Sequence, residues 1–163
     1  GNPTDAFRIY NLMPAANVTP DIVTFTTLMY NCAENHLLAQ AYSVRTEMGA
    51  IYDHDLHRWI GGMAPTPRFF AATARTLVTC RQAGAALALL GEMEVRKMTA
   101  DLEMYVLIVE GLSLQRRPHA AFRVLTQMVC HDEPTRPSPR IIRSVLYGCV
   151  TGCSYLAEGD VLW

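Results

Sequence analysis

Recurring arginines are the residues whose chemistry and spacing point most directly to a ligand. Arg81 and Arg116 lie 35 residues apart, with Arg117 beside the second of them. Three more arginines lie close together near the C-terminal end: Arg136, Arg140 and Arg143. Such groups predict salt-sensitive contacts with the phosphates of a polyanion. The alternative is that they are solvated turn residues paired with nearby acids, namely Glu103, Glu110 or Asp132.

Other side chains that do chemistry form no recognisable site. The five cysteines are odd in number and irregular in spacing, so they predict neither a disulfide framework nor a zinc knuckle. Cys32 and Cys149 fall on apolar helix faces and are predicted to be small buried residues. The sequence contains no glycine-rich phosphate loop, nucleophile elbow or metal motif. We therefore expect no metal, no cofactor, no small-molecule substrate and no catalysis.

Composition limits the classes of partner. The net charge of −1 argues against a freestanding nucleic-acid binder, which usually has a clear basic excess. The charge is uneven, since residues 1–56 carry two arginines and six acids, whereas residues 57–163 carry twelve basic residues and nine acids. No apolar run approaches the roughly 20 residues of a membrane span. We expect no membrane partner, and a polyanion would contact the second part of the chain.

The stretch from residue 20 to residue 48 is predicted to form a pair of helices around which the rest of the chain is built. Apolar residues spaced by three and four predict one amphipathic helix before the polar break Glu34-Asn35-His36 and a second one after it. Asp21, preceded by Pro20, is predicted to cap the first of these helices.

The pattern of this pair returns along the chain. An alanine and a methionine seven residues apart occur four times: Ala6 and Met13, Ala41 and Met48, Ala86 and Met93, Ala121 and Met128. The steps between the alanines are 35, 45 and 35 residues. A fixed period of this length with two helices per unit indicates a helical solenoid. We predict an all-α fold, a right-handed α-solenoid of helix-turn-helix repeats of about 35 residues.

The repeats resemble the pentatricopeptide repeat family. The matching residues are Pro20-Asp21-Ile22-Val23-Thr24-Phe25-Thr26 with Glu47-Met48, then Gly91-Glu92-Met93 and Thr126-Gln127-Met128. The Trp and Gly-Tyr pattern of tetratricopeptide repeats is absent. The resemblance covers nearly the whole chain and takes its specificity from the recurring register.

The register divides the chain as one solenoid fragment. We predict a half repeat at 1–21, repeats at 22–56, 67–101 and 102–138, and a partial repeat at 139–163. The first helix of the half repeat is expected to precede residue 1. The ten extra residues of the long step are assigned to an insertion loop at 57–66 that carries Trp59, a candidate contact for a protein partner or a base. The alternative is that Trp59 packs onto neighbouring helices.

The resemblance implies that pairs of residues read one RNA base per repeat. It assigns the early positions of the pairs to Thr26, Ala71, Val106 and Arg143. It assigns the closing positions to Asp21, Asp55 or Leu56, Asp101 and Ser138. Ala71 and Val106 have no side-chain donor or acceptor and cannot read a base edge. We therefore expect little base-specific reading beyond Thr26.

The position that clamps the base in this family carries Val23, Arg68, Glu103 and Arg140 here. Val23 fits the family, whereas Glu103 would repel a phosphate backbone. Arg68 and Arg140 join the candidates for RNA contact.

The resemblance implies a non-catalytic protein of organellar gene expression. We expect a structural subunit of a large ribonucleoprotein such as the mitochondrial ribosome, with ribosomal RNA or another organellar transcript and neighbouring proteins as partners. The alternative is a protein scaffold without direct RNA contact. The family implies the mitochondrion, with the chloroplast as the other candidate.

Overall fold

Seven α-helices dominate the residues that the structure describes. The structure is a computed structural model, and it describes residues 3–50, 52–53, 58–59, 64–130, 138–139, 141–143 and 145–147. The helices are α1 (Pro3–Leu12), α2 (Ile22–Glu34), α3 (Leu38–Ala50), α4 (Pro67–Thr79), α5 (Ala83–Val95), α6 (Leu102–Leu114) and α7 (Pro118–Cys130). A short 3-10 helix at Pro14–Ala16 follows α1, and the backbone is helical again at 139, 141–143 and 145–147. The chain forms two compact units, Gly1–Cys80 and Arg81–Trp163.

In the first unit, α2 is the central helix. It packs against α1, α3 and α4. Its core face presents Phe25, Leu28, Met29 and Cys32, which are at most 4% exposed. Burial raises the pKa of the Cys32 thiol to about 11, with a smaller contribution from Cys80. The prediction of a small buried cysteine is therefore confirmed for Cys32, while Cys149 lies outside the described residues.

In the second unit, α6 has the corresponding role. It packs against α5 and α7, and its buried residues include Tyr105, Ile108, Val109 and Leu112. Leu89 and Met93 of α5 are each 1% exposed, so both helices bury large apolar side chains. Each unit thus has its own apolar core.

The alanine and methionine repeats mark core positions of the second helices. Helices α1, α3, α5 and α7 each begin three residues before their alanine, so the four helices share one register. Ala41, Ala86 and Ala121 are 0–4% exposed, and Met48, Met93 and Met128 are 0–2% exposed. The small alanine allows close helix packing, and the flexible methionine fills the remaining space. The helical repeats predicted from this spacing are present.

The first helices begin at matching caps. The Asp21 carboxylate accepts a hydrogen bond from the Thr24 backbone N–H at 2.7 Å, and the Thr66 hydroxyl accepts one from Phe69 at 3.3 Å. These bonds satisfy backbone donors that the first turn leaves open. The predicted cap at Asp21 is confirmed.

The cap before α4 is Thr66. The sequence assigns the closing position of the second repeat to Asp55 or Leu56, and that assignment stays a prediction. Fifteen residues separate Ala50 from Thr66, so the ten extra residues lie in that interval. Residues 54–57 themselves lie outside the described part.

The insertion is not wholly loop-like. Tyr52 pairs with Trp59, and Asp53 pairs with Arg58, in a two-residue antiparallel ladder. Aromatic residues favour extended pairing, and the periodicity of the flanking helices carried no signal for it.

One contact fixes the first helices of the first unit together. The buried Thr76 hydroxyl on α4 lies 2.9 Å from the Met29 carbonyl oxygen on α2, and equally far from the Ala72 carbonyl in its own helix. A hydroxyl proton shared between these two oxygens ties α4 to α2 at one register.

Candidate nucleic-acid interface

The turn after α4 places Arg81 in an uncommon backbone conformation. Arg81 is exposed and has φ 59°, in the left-handed region. Glycine is the usual residue at such helix ends because it has no Cβ to clash. Arginine at this position therefore costs backbone energy and presents a cation at the surface of the turn.

The turn after α6 repeats this arrangement. Arg116 has φ 55°, and the Arg117 backbone N–H donates to the Leu112 carbonyl at 2.9 Å, which completes a Schellman-type helix end. Arg116 and Arg117 are both exposed. The 35-residue spacing of Arg81 and Arg116 therefore corresponds to one shared backbone geometry.

The Arg117 side chain links this turn to the start of α5. A Cβ built on Gly84 would collide with Nη1 of Arg117, so the guanidinium lies directly over the Gly84 backbone. Gly84 is three residues beyond Arg81, in the first turn of α5. The structure thus brings the Arg117 guanidinium beside the segment that Arg81 opens. We call Arg81, Arg116 and Arg117 the basic edge.

The N-termini of α5 and α7, which follow the turns of the basic edge, carry the same sign of charge as its arginines. Neither α5 nor α7 has an acidic residue in its first turn. Gln82 precedes α5 without a side-chain cap. A helix N-terminus carries a partial positive charge and open N–H donors. The basic edge therefore combines three guanidinium groups with two helix starts that favour an anion.

The base-reading positions are poorly equipped for recognition. Thr26 is half-buried, and its hydroxyl donates to the Ile22 carbonyl at 2.6 Å, inside its own helix. Ala71 and Val106 are half-buried and apolar. Thr26 keeps only acceptor capacity, and the other two offer none.

The clamp positions differ from one helix to the next. Val23 is 65% exposed, and Arg68 and Glu103 are also exposed. Val23 and Arg68 belong to the first unit, Glu103 to the second. A carboxylate at one clamp and a cation at another do not make a uniform phosphate track.

Asp101 has a structural role at the start of α6. Its carboxylate accepts a hydrogen bond from the Met104 backbone N–H at 2.8 Å. It is therefore an N-cap, at the position that Asp21 and Thr66 hold before α2 and α4. A base contact at Asp101 stays a prediction.

The remaining candidates are only partly described. Arg143 is exposed on the last helical stretch, whereas Arg136 and Arg140 lie outside the described residues. The backbone of Trp59 lies in the two-residue ladder, and its side chain is outside the described part. The structure places the Arg117 guanidinium beside Gly84, three residues after Arg81. The left-handed conformation of Arg81 and Arg116 could not be read from a sequence lacking glycine there.

The described ranges hold neither a cluster of metal ligands nor a helix suited to a membrane. Within them, no three His, Cys, Asp or Glu side chains gather as ligands of one metal ion. None of the described helices combines the length and the apolar character that crossing a membrane requires.

Solved structures show which fold this chain has. No protein-family model matches the chain, and no curated protein sequence does. The crystal structure of the pentatricopeptide repeat protein PPR10 from maize matches 91% of this chain at a TM-score of 0.72 and 19% identity. The chain spans 20% of the length of that protein.

A second match is the crystal structure of the PPR domain of Arabidopsis thaliana protein-only RNase P 1 (PRORP1) in complex with tRNA. It covers 94% of this chain and 75% of that one, at a TM-score of 0.72 and 17% identity. Both matches confirm the predicted all-α solenoid class. The resemblance found in the repeats is therefore borne out at the level of structure: the chain has the fold of pentatricopeptide repeat proteins.

Proposed function

We propose that this chain is a non-catalytic, RNA-associated repeat protein that holds RNA through its phosphates at the basic edge. The observation that carries the proposal is the shared geometry of Arg81 and Arg116, with Arg117 lying over the start of α5. Guanidinium groups bind phosphate oxygens with two hydrogen bonds each. His36 and Lys97 share the left-handed conformation, so it belongs to the turns, and Arg81 and Arg116 add to it the charge that a phosphate would use.

The proposed mode of binding depends on shape more than on sequence. Ala71 and Val106 supply no side-chain hydrogen bonds at two base-reading positions. The Thr26 hydroxyl donates its hydrogen bond to a carbonyl within α2. Phosphate contacts position a protein on RNA without carrying base information. A structured RNA with a fixed arrangement of phosphates is therefore the ligand class that this protein suits.

The cellular part of the proposal rests on the fold alone. We place the protein in organellar gene expression, in the mitochondrion or the chloroplast, as a structural subunit of a large ribonucleoprotein such as the mitochondrial ribosome. The near-neutral net charge fits a subunit held by several neighbours better than a freestanding RNA binder. Neighbouring proteins of that complex would be its other partners.

Co-sedimentation tests the cellular part. The native protein would be followed through a gradient of organelle lysate, with and without RNase and at low and high salt. The proposal expects sedimentation with a large particle, recovery of RNA with the protein, and release by RNase or by salt. Sedimentation with a complex that neither treatment disturbs would instead support the protein-scaffold alternative.

Binding to purified RNA tests the site. Affinity for a structured RNA would be measured between 50 and 200 mM salt for the wild type, Arg117→Gln and the exposed control Arg8→Gln. Each lost phosphate contact reduces the salt slope by about 1. Arg117→Gln is expected to do so and Arg8→Gln to leave the slope unchanged.

A further inference from the structure

An open groove runs between α5 and α7 in the second unit. It has a volume of about 640 Å³, and its floor includes Leu87, Ala88 and Gly91 from α5. Phe122 and Arg123 of α7 line its opposite side. This groove involves none of the basic-edge residues.

Phe122 is the large apolar side chain that the groove leaves uncovered. It is 64% exposed. Phe7, one residue after its repeat alanine like Phe122, is partly buried against the core of the first unit. Tyr42, at the same place in α3, is 45% exposed, so Phe122 is the most exposed of the three aromatic residues at this repeat position. When another surface covers an aromatic side chain this exposed, the free energy of the complex falls because apolar area leaves water.

The α5 side of the groove has room for a partner and offers water few polar groups. Ala88 and Gly91 line the groove and are exposed. A Cβ built on Gly91 would meet no atom within 4 Å. Residues 83–91 of α5 carry no charged side chain, and an apolar helix face is normally covered. Small residues here allow a second backbone or a large side chain to approach α5 closely.

The charges at the groove favour an acidic partner. Helix α7 carries Arg123 and His119 and no Asp or Glu. The nearest acid on α5, Glu92, lies 3.3 Å from Arg96 in an ion pair one turn along its own helix. Arg123 is thus the charged group that lines the groove, and a carboxylate on the partner would complement it.

We propose that the groove between α5 and α7 docks an acidic amphipathic helix from a partner protein. Its apolar face covers Phe122 and enters the space over Ala88 and Gly91, and a carboxylate at its rim meets Arg123. RNA is the less suitable occupant, because the α5 floor offers side chains without hydrogen-bonding groups. The Thr126 hydroxyl beside it donates to the Phe122 carbonyl at 3.1 Å.

The test uses a designed peptide and a variant that blocks the groove without weakening the fold. The probe is a labelled helical peptide with leucines at every third and fourth position and glutamates flanking them, measured by fluorescence anisotropy. Gly91→Gln places a side chain in the groove and replaces a helical glycine with a better helix former. Gly49→Gln is the matched control, since Gly49 is also exposed on a helix with nothing within 4 Å of a built Cβ.

The expected result is saturable binding that Gly91→Gln and Phe122→Glu weaken at least tenfold and that Gly49→Gln leaves unchanged. Arg123→Glu should weaken the glutamate peptide and strengthen its lysine counterpart. A peptide of the same composition with scrambled order should bind at least tenfold more weakly. Equal binding by the scrambled peptide, indifference to Gly91→Gln, or displacement of the peptide by a single-stranded RNA oligonucleotide at this groove would each overturn the proposal.

Discussion

Arg81 and Arg116 hold the same left-handed backbone conformation, with φ 59° and 55°, at equivalent turns 35 residues apart. An L-residue with a Cβ pays about 1–2 kcal/mol in this region. Glycine avoids that strain but loses about 0.5–1 kcal/mol through its greater freedom in the unfolded chain. The two strained arginines at matching turns therefore lower the stability of the fold relative to glycine while they provide positive charge.

Replacing either arginine with glycine should stabilise the protein. Arg81→Gly is expected to raise the free energy of unfolding by about 0.5–1 kcal/mol, and Arg116→Gly by less, because the Arg116 side chain also makes an interaction within the fold. His36→Gly, at φ 55° in the first unit, serves as a control for the backbone effect alone. Urea denaturation would measure all three. A loss of stability in the glycine variants would mean that the arginine side chains make compensating contacts.

The hydrogen bond across α2 and α4 should be worth more than one within a helix. Thr76→Val removes the contact with the Met29 carbonyl at 2.9 Å and is expected to cost about 1–2 kcal/mol. Thr73→Val is the matched control, because the equally buried Thr73 hydroxyl bonds only to the Phe69 carbonyl of its own helix, at 2.8 Å. Equal losses for both variants would assign no special role to the contact between helices.

The cap at Asp21 should make stability depend on pH in acid. Its hydrogen bonds with the Thr24 side chain, and then with the Thr24 backbone, hold the pKa of Asp21 below the ordinary 3.8. A lowered pKa means that the stabilisation is complete above pH 3.8 and is lost as the pH falls through the lower folded value. Asp21→Asn keeps a capping side chain that does not titrate. The wild type should therefore lose stability relative to Asp21→Asn below pH 3.8, as measured by thermal unfolding across that range.

Tyr10 should produce the opposite dependence in alkali. Its hydroxyl donates to Glu47, and burial, then that hydrogen bond and the charge of Glu47, raise the pKa of Tyr10 well above 10.0. Stability from this group is complete below pH 10 and falls as the pH rises beyond it, because the unfolded tyrosine ionises first. Tyr10→Phe should be less stable at neutral pH but lose less stability above pH 10. Identical alkaline slopes would exclude this contact as the cause.

Much of the fold could be predicted because its signals are local and repeated. Three of the four alanine and methionine pairs are core positions, and the predicted cap at Asp21 is present. In the first pair, Ala6 and Met13 are half-buried. The cap before α4, Thr66, was not predicted, because the ten-residue insertion interrupts the repeat pattern in front of it. The ladder between Tyr52 and Trp59 was not predicted, because strands of two residues are too short to show a periodic pattern.

The candidate site was predictable in its residues but not in its geometry. The spacing of Arg81 and Arg116 pointed to equivalent turns, yet a left-handed conformation is normally signalled by glycine or asparagine, and neither stands there. Nothing in the sequence indicated that Arg117 reaches Gly84. Asp101 was predicted for RNA contact, and the structure uses its carboxylate as a helix cap.

The most direct test of the proposed function measures stability and RNA affinity in one variant, Arg81→Gly combined with Arg116→Gly. The proposal predicts a more stable protein that binds a structured RNA at least tenfold more weakly, with a salt slope lower by about 2. His36→Gly, also stabilised, should bind as the wild type does. A double variant that is more stable and keeps full affinity and an unchanged salt slope would contradict RNA binding at the basic edge.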